Sequence, residues 1–289
     1  MQKGVIYILL AEFSFAASSV VAKYALQDSD VSGVQITFFR FLLGAIISFI
    51  VLKKSGESFI PKKPQMVWWR ALFNTISAML FFFSLKYTTV TNANMLGLTY
   101  PLWVVLFAPI LIKEKFEWKN MIFVGVALTG VYIIVHPEFE TINLGDMCAF
   151  GAGITASIAV LALRQARKFD TTNIIIFYLM TTGVVLNGFI LAPVWANPDL
   201  LIWTFIIISA LLGFVAQILI TEGYKYIEAT RGSLISSTRV VMAGIMGVML
   251  FSDQITVQLI GGAALILSSQ YGLILRKFHF IRRTKIKNV

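Results

Sequence analysis

Cysteine and histidine are almost absent from this chain. Its 289 residues include one cysteine, Cys148, and two histidines, His136 and His279. A single thiol excludes an internal disulfide, and so few thiol and imidazole groups leave no metal-ligand spacing. The sequence therefore predicts no disulfide, no metal centre and no bound cofactor.

Charge is also scarce. Charged residues make up 13% of the chain and hydrophobic residues 58%, and the mean hydropathy is +0.82. A soluble core does not require such values, so the sequence predicts an integral membrane protein whose surroundings are a lipid bilayer. The net charge of +10 is scattered between apolar runs and forms no basic face with interleaved aromatics. We therefore expect no nucleic-acid partner.

The motifs of common catalytic sites are missing. The sequence has no Gly-rich phosphate loop followed by Lys and Ser or Thr, no His-Glu zinc motif and no serine elbow. The connections between apolar runs are too short to hold a soluble catalytic domain. These absences predict that the protein is neither an enzyme nor an ATP-driven pump.

Long apolar runs are what the chain does have. Ten of them are close to about 20 residues long, the length of a helix that crosses a hydrocarbon layer of roughly 30 Å. The sequence therefore predicts an all-α membrane protein with ten transmembrane helices. Their expected positions are 4–26, 33–52, 67–87, 90–112, 118–135, 144–163, 173–194, 200–220, 229–251 and 256–275.

Basic residues predict the orientation of these helices. They concentrate in the C-terminal tail and in the connections after the second, fourth, sixth and eighth runs, whereas the other connections are mostly acidic. By the positive-inside rule, both termini are cytoplasmic and the protein is a multi-pass component of the cytoplasmic (inner) membrane. The basic connection residues are Lys53, Lys54, Lys62, Lys63, Lys113, Lys115, Lys119, Arg164, Arg167, Lys168, Lys225 and Arg231.

A weak repeat relates the two halves of the chain at an offset of 139 positions. It pairs Lys86 with Lys225, Tyr87 with Tyr226, Thr91 with Thr230, Thr99 with Thr238, and Glu114 with Asp253. The pattern predicts two five-helix units, residues 1–137 and 138–289. Because five is odd, the second unit must cross the membrane in the opposite sense, which gives a 5+5 inverted repeat.

Arg239 lies inside the ninth apolar run, opposite Tyr100 in the repeat. Counted from Arg231, it would sit roughly 12 Å into the membrane. A guanidinium at that depth costs at least about 2.5 to 3.5 kcal/mol, so it must face a partner, a watery cavity or a ligand. We therefore expect Arg239 to point into the bundle.

Glu12 shares one helical face with Ser19 and Lys23 in the first run, at a depth similar to that of Arg239. In one interpretation Glu12 and Arg239 line a cavity, where they balance one another or bind complementary groups of a zwitterionic ligand. In the other they form a buried ion pair that fixes two helices, or Glu12 is held protonated by desolvation.

The fourth run contains a proline and a tryptophan at membrane depth. Pro101 removes one backbone hydrogen bond, so it predicts a kink that bends the helix around a cavity, or else an ordinary membrane-helix proline. Trp103 offers a stacking surface for a flat or cationic ligand, or else simply packs.

Other polar side chains have two interpretations each. Asn74 and Gln217 either join helices through amide hydrogen bonds or contact a ligand. Arg40 either contacts substrate or serves structure by reaching toward water or tying helices together. Arg70 follows Trp68 and Trp69, which indicates an interfacial anchor, with a functional role as the alternative.

The pattern as a whole resembles the drug/metabolite transporter superfamily, EamA type. The likeness rests on Phe39-Arg40, residues 93–101 closed by Ile112-Lys113-Glu114, residues 125–130, and the half-chain repeat. It implies a central cavity lined by helices one, three, four, six, eight and nine, which places Glu12, Asn74, Trp103, Gln217 and Arg239 on cavity-forming helices. The set Arg40, Arg70 and Arg239 is similar to that of the S-adenosylmethionine uptake carriers of intracellular bacteria.

We therefore expect a secondary carrier that moves a small polar or zwitterionic metabolite, such as an amino acid or an S-adenosylmethionine-like compound, by alternating access. Arg239 would recognise a carboxylate, and Glu12 would balance charge or carry a coupling proton. A counter-substrate or an oligomeric assembly is compatible with this expectation. The alternatives are a lipid flippase and a non-transporting membrane scaffold of the same fold.

Overall fold

The computed structural model describes residues 2–27, 29–84, 87–88, 90–135, 143–251, 256–270 and 272. These residues form α-helices with short connections, and a 3₁₀ turn at Ala192–Val194. The helices are α1 Gln2–Gln27, α2 Gly33–Ser55, α3 Pro64–Ser84, α4 Val90–Gly97, α5 Tyr100–Leu111, α6 Trp118–Val135, α7 Leu144–Ala166, α8 Thr172–Leu191, α9 Leu200–Gly223, α10 Ala229–Ser236, α11 Thr238–Phe251 and α12 Val257–Gln270. The all-α prediction is confirmed for the described part of the chain.

Eight of the ten predicted spans are helical segments long and apolar enough to cross a membrane. The other two coincide with α3 and α12. α3 has 21 residues but is less apolar because it carries Arg70 and Asn74. α12 is shorter than a full span over the residues that the structure describes. Lys86 and Asp253, which belong to the predicted repeat, lie outside the described residues.

Local sequence signals explain several helix ends. Ser32 and Asp199 accept hydrogen bonds from backbone N–H groups in the first turns of α2 and α9, which satisfies donors that have no partner within the helix. Asn143 and Asp146 form a reciprocal capping box at the start of α7. Gly56 ends α2 with φ of 67°, a left-handed conformation that glycine adopts without a side-chain clash.

The fourth and ninth spans, which the sequence predicts as single helices, are each broken into two. The first break lies between α4 and α5, immediately before Tyr100-Pro101, and the second lies at Ser237 between α10 and α11. Pro101 stands in the first turn of α5, where its missing N–H costs least. At both breaks a threonine hydroxyl donates to the carbonyl three residues earlier, Thr99 to Leu96 at 2.6 Å and Thr238 to Ile235 at 2.7 Å.

Neighbouring elements pack closely on these breaks. A Cβ added to Gly153 of α7 would lie 2.9 Å from the Thr99 hydroxyl and 3.0 Å from the Leu96 carbonyl oxygen. At the second break, the Gln270 amide of α12 donates to the Leu234 carbonyl at 3.4 Å. The second break is thus tied to α12 by a side-chain hydrogen bond, and α7 packs directly on the first.

The main helix contacts are α1 with α9, α3 with α7 and α2 with α8. Each pair joins a helix before residue 136 to one after residue 143. α6 and α12 meet separately through Gly130 and Gly262, where an added Cβ on either glycine would lie within 2.6 Å of the other's carbonyl oxygen.

The start of α1 lies on the same side of the bundle as several helix connections. We call the side on which α1 begins the α1-N side. There Tyr7 of α1 stacks on Tyr226 after α9, with ring centroids 6.1 Å apart. The backbone N–H of Lys63, before α3, donates to Asp170, after α7, at 2.9 Å. Arg167, after α7, donates from Nε to the Thr221 carbonyl near the end of α9 at 3.2 Å. The connections after α2, α7 and α9 therefore lie on the α1-N side.

Candidate functional site

The structure brings Glu12 and Arg239 together in the middle of the bundle. Arg239 Nε donates to Glu12 Oε2 at 2.5 Å. The Glu12 side chain is fully buried, whereas 37% of the Arg239 side chain remains exposed. The other carboxylate oxygen, Glu12 Oε1, is buried with no hydrogen-bond partner among the described residues. The carboxylate therefore has an acceptor oxygen that the described residues do not use, and part of the guanidinium side chain is accessible.

One face of α1 carries the groups around this pair. Phe15 follows Glu12 by three residues, and the Arg239 guanidinium carbon lies 4.3 Å from the centre of its ring. Ser18 follows after another three residues, and its hydroxyl accepts a hydrogen bond from Arg40 Nη2 at 3.0 Å. Residues at this spacing share one helix face, so the guanidiniums of Arg239 and Arg40 meet the same stripe of α1.

Arg40 reaches this stripe from α2 past a glycine of α9. A Cβ added to Gly213 would lie 2.3 Å from Arg40 Nε, so a larger residue there would displace the arginine. The helices α1 and α9 are joined beside it by Ser18 and Ser209, whose hydroxyls each donate to the other residue's carbonyl at 2.8 Å. Arg40 Nε is buried and has no hydrogen-bond partner within the described part of the chain.

Gln217 and Arg70 form a second polar contact. Arg70 Nη2 donates to Gln217 Oε1 at 3.0 Å, which links α3 to α9. Arg70 is only 4% exposed, so the prediction of an interfacial anchor is wrong. The sequence reasoning overlooked that a basic residue near a helix end becomes buried when a neighbouring helix supplies an acceptor.

No described hydrogen bond, ion pair or ring contact joins Trp103 or Asn74 to the Glu12–Arg239 pair. The Trp103 ring packs near Phe107 of α5 and Phe150 of α7, with ring centroids 5.7 and 5.4 Å away. Its indole N–H is buried without a hydrogen-bond partner among the described groups. Asn74 is half-buried on α3.

Two tyrosines that the sequence reasoning did not propose lie near the pair. Tyr100 begins α5, and its hydroxyl donates to the Ser233 carbonyl at 3.4 Å. Tyr224, at the end of α9, is fully buried, and its hydroxyl has no partner in the described residues. The signal for Tyr100 was its position opposite Arg239 in the repeat. No comparable signal marked Tyr224.

Polar contacts tie four elements together on the α1-N side. Arg164 Nη1 donates to the Tyr224 carbonyl at 2.8 Å, and Arg164 Nε lies 3.5 Å from Glu114 Oε1. The same carboxylate oxygen accepts from the backbone N–H of Ala229 at 3.3 Å. Burial raises the pKa of Glu114 despite these favourable contacts. The ends of α5, α7 and α9 and the start of α10 are thereby joined.

A separate apolar groove of about 520 Å³ lies between α3 and α8. Its polar side-chain atoms come mainly from the tryptophans, one tyrosine and two threonines. The lining residues are Trp68, Trp69, Leu72, Phe177, Tyr178, Thr181, Thr182, Val185 and Leu186.

Apolar helices around a buried, incompletely paired charged centre define a multi-pass membrane protein with an internal polar site. The chain belongs to the EamA-like transporter family, whose model matches residues 2–136 and again residues 143–275. The protein is thus a membrane transporter.

Curated relatives carry transporter names. The chain is 27% identical to human solute carrier family 35 member G1, over 96% of this chain and 80% of that protein. It is 20% identical to an S-adenosylmethionine uptake transporter of Rickettsia bellii, over 94% of this chain and 93% of the relative. It is 19% identical to the pseudopaline exporter CntI of Pseudomonas aeruginosa, over 80% and 81% of the two chains.

A solved crystal structure superposes on this chain with a TM-score of 0.80 at 18% sequence identity, covering 96% of this chain and 99% of that one. At this identity the likeness concerns the fold alone.

Proposed function

We propose that this protein is a secondary carrier that moves a small polar or zwitterionic metabolite, such as an amino acid or an S-adenosylmethionine-like compound, by alternating access. The observation that carries the proposal is the state of the Glu12–Arg239 pair. A purely structural ion pair deep in a membrane is stabilised by satisfying both partners. Here one Glu12 oxygen has no hydrogen-bond partner among the residues that the structure describes, and 37% of the Arg239 side chain is exposed.

The proposed roles follow from the hydrogen-bonding groups that these two residues leave unused. The exposed part of the Arg239 guanidinium binds a substrate carboxylate, whose two oxygens match its planar donors. Glu12 Oε1 accepts a substrate ammonium group or holds a coupling proton. We further propose that Trp103 offers its ring to the rest of the molecule, and that Asn74 and Gln217 complete the polar lining, Gln217 through its contact with Arg70. No group is assigned a catalytic step.

We place this site between two inverted five-helix units, residues 1–137 and 138–289. Two observations support that arrangement. The family model matches the chain twice, and the helix breaks at Thr99 and Thr238 lie 139 positions apart. The excess of basic residues on the α1-N side supports a cytoplasmic location for it, and thus residence in the cytoplasmic membrane.

In alternating access, the contacts of Glu114 and Arg164 would close the α1-N side, and we propose that Arg239 is then reached from the opposite side. Those contacts must separate for release on the α1-N side. The backbone breaks next to Tyr100 and Arg239 provide positions where half-helices can reorient.

The test begins with a thermal-shift screen of the purified full chain against amino acids and adenosyl compounds, because a ligand that binds the folded state raises its stability. Uptake of the compound with the largest shift is then measured in proteoliposomes for the wild type, Arg239→Ala and Arg231→Ala. Arg231 is the matched control because it pairs with the half-exposed Glu228 on its own helix. We expect uptake to be lost only in Arg239→Ala, and equal uptake in all three proteins would remove Arg239 from the mechanism.

A lipid flippase is the second candidate, favoured by the apolar groove between α3 and α8. A flippase needs an amphipathic passage that opens to the bilayer, and the groove supplies an apolar wall. The measurement is the movement of a fluorescent phospholipid between leaflets of proteoliposomes. Movement that depends on the groove and not on Arg239 would favour the flippase over the metabolite carrier.

A further inference from the structure

The groups that meet the Glu12–Phe15–Ser18 stripe do not balance in charge. One carboxylate, Glu12, faces two guanidiniums, Arg239 and Arg40. Arg239 pairs with Glu12 at 2.5 Å, whereas Arg40 is bonded to the neutral Ser18 hydroxyl. Arg40 forms no ion pair with any carboxylate in the residues that the structure describes. The stripe therefore carries one uncompensated positive charge.

The two guanidiniums act on each other. Arg239 lies over Phe15 and Arg40 lies at Ser18, so their attachment points on α1 differ by about 4.5 Å of helix rise. Each charge repels the other, and the repulsion is stronger at membrane depth than in water. An anion between them would relieve it.

The fold holds Arg40 in this position. Gly213 leaves room for its side chain, and the reciprocal bonds of Ser18 and Ser209 fix the helices on either side. Arg40 Nε keeps a free N–H in the buried space, with no partner among the described groups. A guanidinium that has an unused donor and lies beside a second guanidinium is suited to bind a carboxylate ligand.

We propose that the cargo of this carrier bears a net negative charge and that Arg40 and Arg239 bind its carboxylate groups together. The inference rests on the proposed function and narrows its substrate class. Within polar and zwitterionic metabolites, it selects those with more carboxylates than ammonium groups. An ammonium group, where present, meets Glu12 Oε1, and the extra carboxylate compensates the charge of Arg40.

The predicted negative charge of the cargo can be tested with four probes of similar size and different charge. Glutarate carries two carboxylates, glutamate adds an ammonium group, glutamine is neutral overall, and ornithine is a cation. Thermal shifts of the purified full chain are measured with each probe at constant ionic strength. We expect the rise in Tm to be largest for glutarate and glutamate, smaller for glutamine and absent for ornithine.

Variants show whether the preference for anions depends on Arg40 itself or on the overall positive charge of the protein. In Arg40→Gln the advantage of glutamate over glutamine should fall about tenfold in apparent affinity, because a hydrogen bond to a charged group is lost. Arg231→Gln removes the same charge from an ion pair with the half-exposed Glu228 and should keep the advantage. If Arg40→Gln does not fold, Arg40→Lys retains the charge without the planar donors and should show an intermediate advantage.

The proposal is overturned if glutamine or ornithine stabilises the protein as much as glutamate, if no probe stabilises it, or if the glutamate advantage survives in Arg40→Gln. Failure of the carrier function gives a different result. Arg239-dependent uptake of ornithine would leave the carrier standing and overturn the anionic class. Binding of glutamate with no uptake of any probe would keep the anion site and overturn the carrier.

Discussion

Arg167 and Glu222 pair on the α1-N side, whereas Arg239 and Glu12 pair in the middle of the bundle, and the two pairs have different surroundings. Arg167 donates from Nη2 to Glu222 at 2.8 Å, from Nε to the Thr221 carbonyl at 3.2 Å and from Nη1 to the Asp170 carbonyl at 2.5 Å. Glu222 also accepts from the Thr172 hydroxyl. Each kind of donor on this guanidinium thus has an acceptor.

The Glu12–Arg239 pair has fewer partners. Glu12 is completely buried and keeps one oxygen without a partner in the described structure, while Arg239 keeps more than a third of its side-chain surface exposed. A buried charge gains from each bond that replaces its lost hydration. The difference is consistent with a structural role for Arg167–Glu222 and supports the proposal that Glu12–Arg239 binds a ligand.

The largest expected effect is on stability. Arg167→Ala would leave Glu222 without its cation and two carbonyls without a donor, at a cost of about 3 to 5 kcal/mol, or about 6 °C or more in Tm. Arg239→Ala should lower Tm less, because Arg239 donates one described hydrogen bond, to Glu12, whereas Arg167 donates three. Thermal unfolding in detergent measures both variants, and equal losses would abolish the distinction between the two pairs.

A smaller set of effects is expected from replacing the acids. Glu12→Gln keeps the shape and one acceptor but cannot release a proton, so accumulation driven by a pH gradient should disappear while exchange without a gradient continues. Glu222→Gln should leave coupling intact and lower Tm instead. Uptake with and without a pH gradient in proteoliposomes separates the two, and gradient-driven accumulation by Glu12→Gln would show that Glu12 carries no coupling proton.

The smallest effect concerns Glu114, whose side chain is 16% exposed and thus lies between Glu12 and Glu222 in burial. Burial raises its pKa, so the folded state favours the protonated form, and its contribution to stability declines as pH rises from its usual value through the raised one. Glu114→Gln imitates the protonated form and should remove this decline, a change in Tm of less than about 2 °C between pH 5 and 7. Thermal unfolding across that range checks the sign, and a steeper decline in the variant would contradict it.

The apolar spans and the inward direction of Arg239 could be predicted because both depend on composition along a single helix. A charged side chain at membrane depth is costly wherever its helix packs. The same argument applied to Glu12, which lies at a comparable depth. The breaks were only partly foreseeable. Pro101 gave a signal for the first, whereas the second depends on Ser237 and Thr238 turning their hydroxyls onto the backbone.

Apart from the Glu12–Arg239 contact, which was one interpretation of these two residues, partners could not be predicted from local patterns. Arg70 follows two tryptophans and reads as an anchor, yet α9 brings Gln217 to it from 147 positions away. Gly213 reads as an ordinary small residue, yet it makes the space that Arg40 occupies. Such contacts depend on which helices become neighbours, and helix pairing in a bilayer is decided by close packing and not by hydropathy.

By itself the sequence determined that this chain crosses a membrane repeatedly and that few charges lie within it, because the energy of placing each side chain in hydrocarbon depends mainly on its own chemistry. Only the tertiary structure decided which of those charges satisfy one another. Arg167 has acceptors for its donors, while Glu12, Arg40 and Arg239 retain unused or exposed polar groups, because helices distant in sequence bring different partners to each.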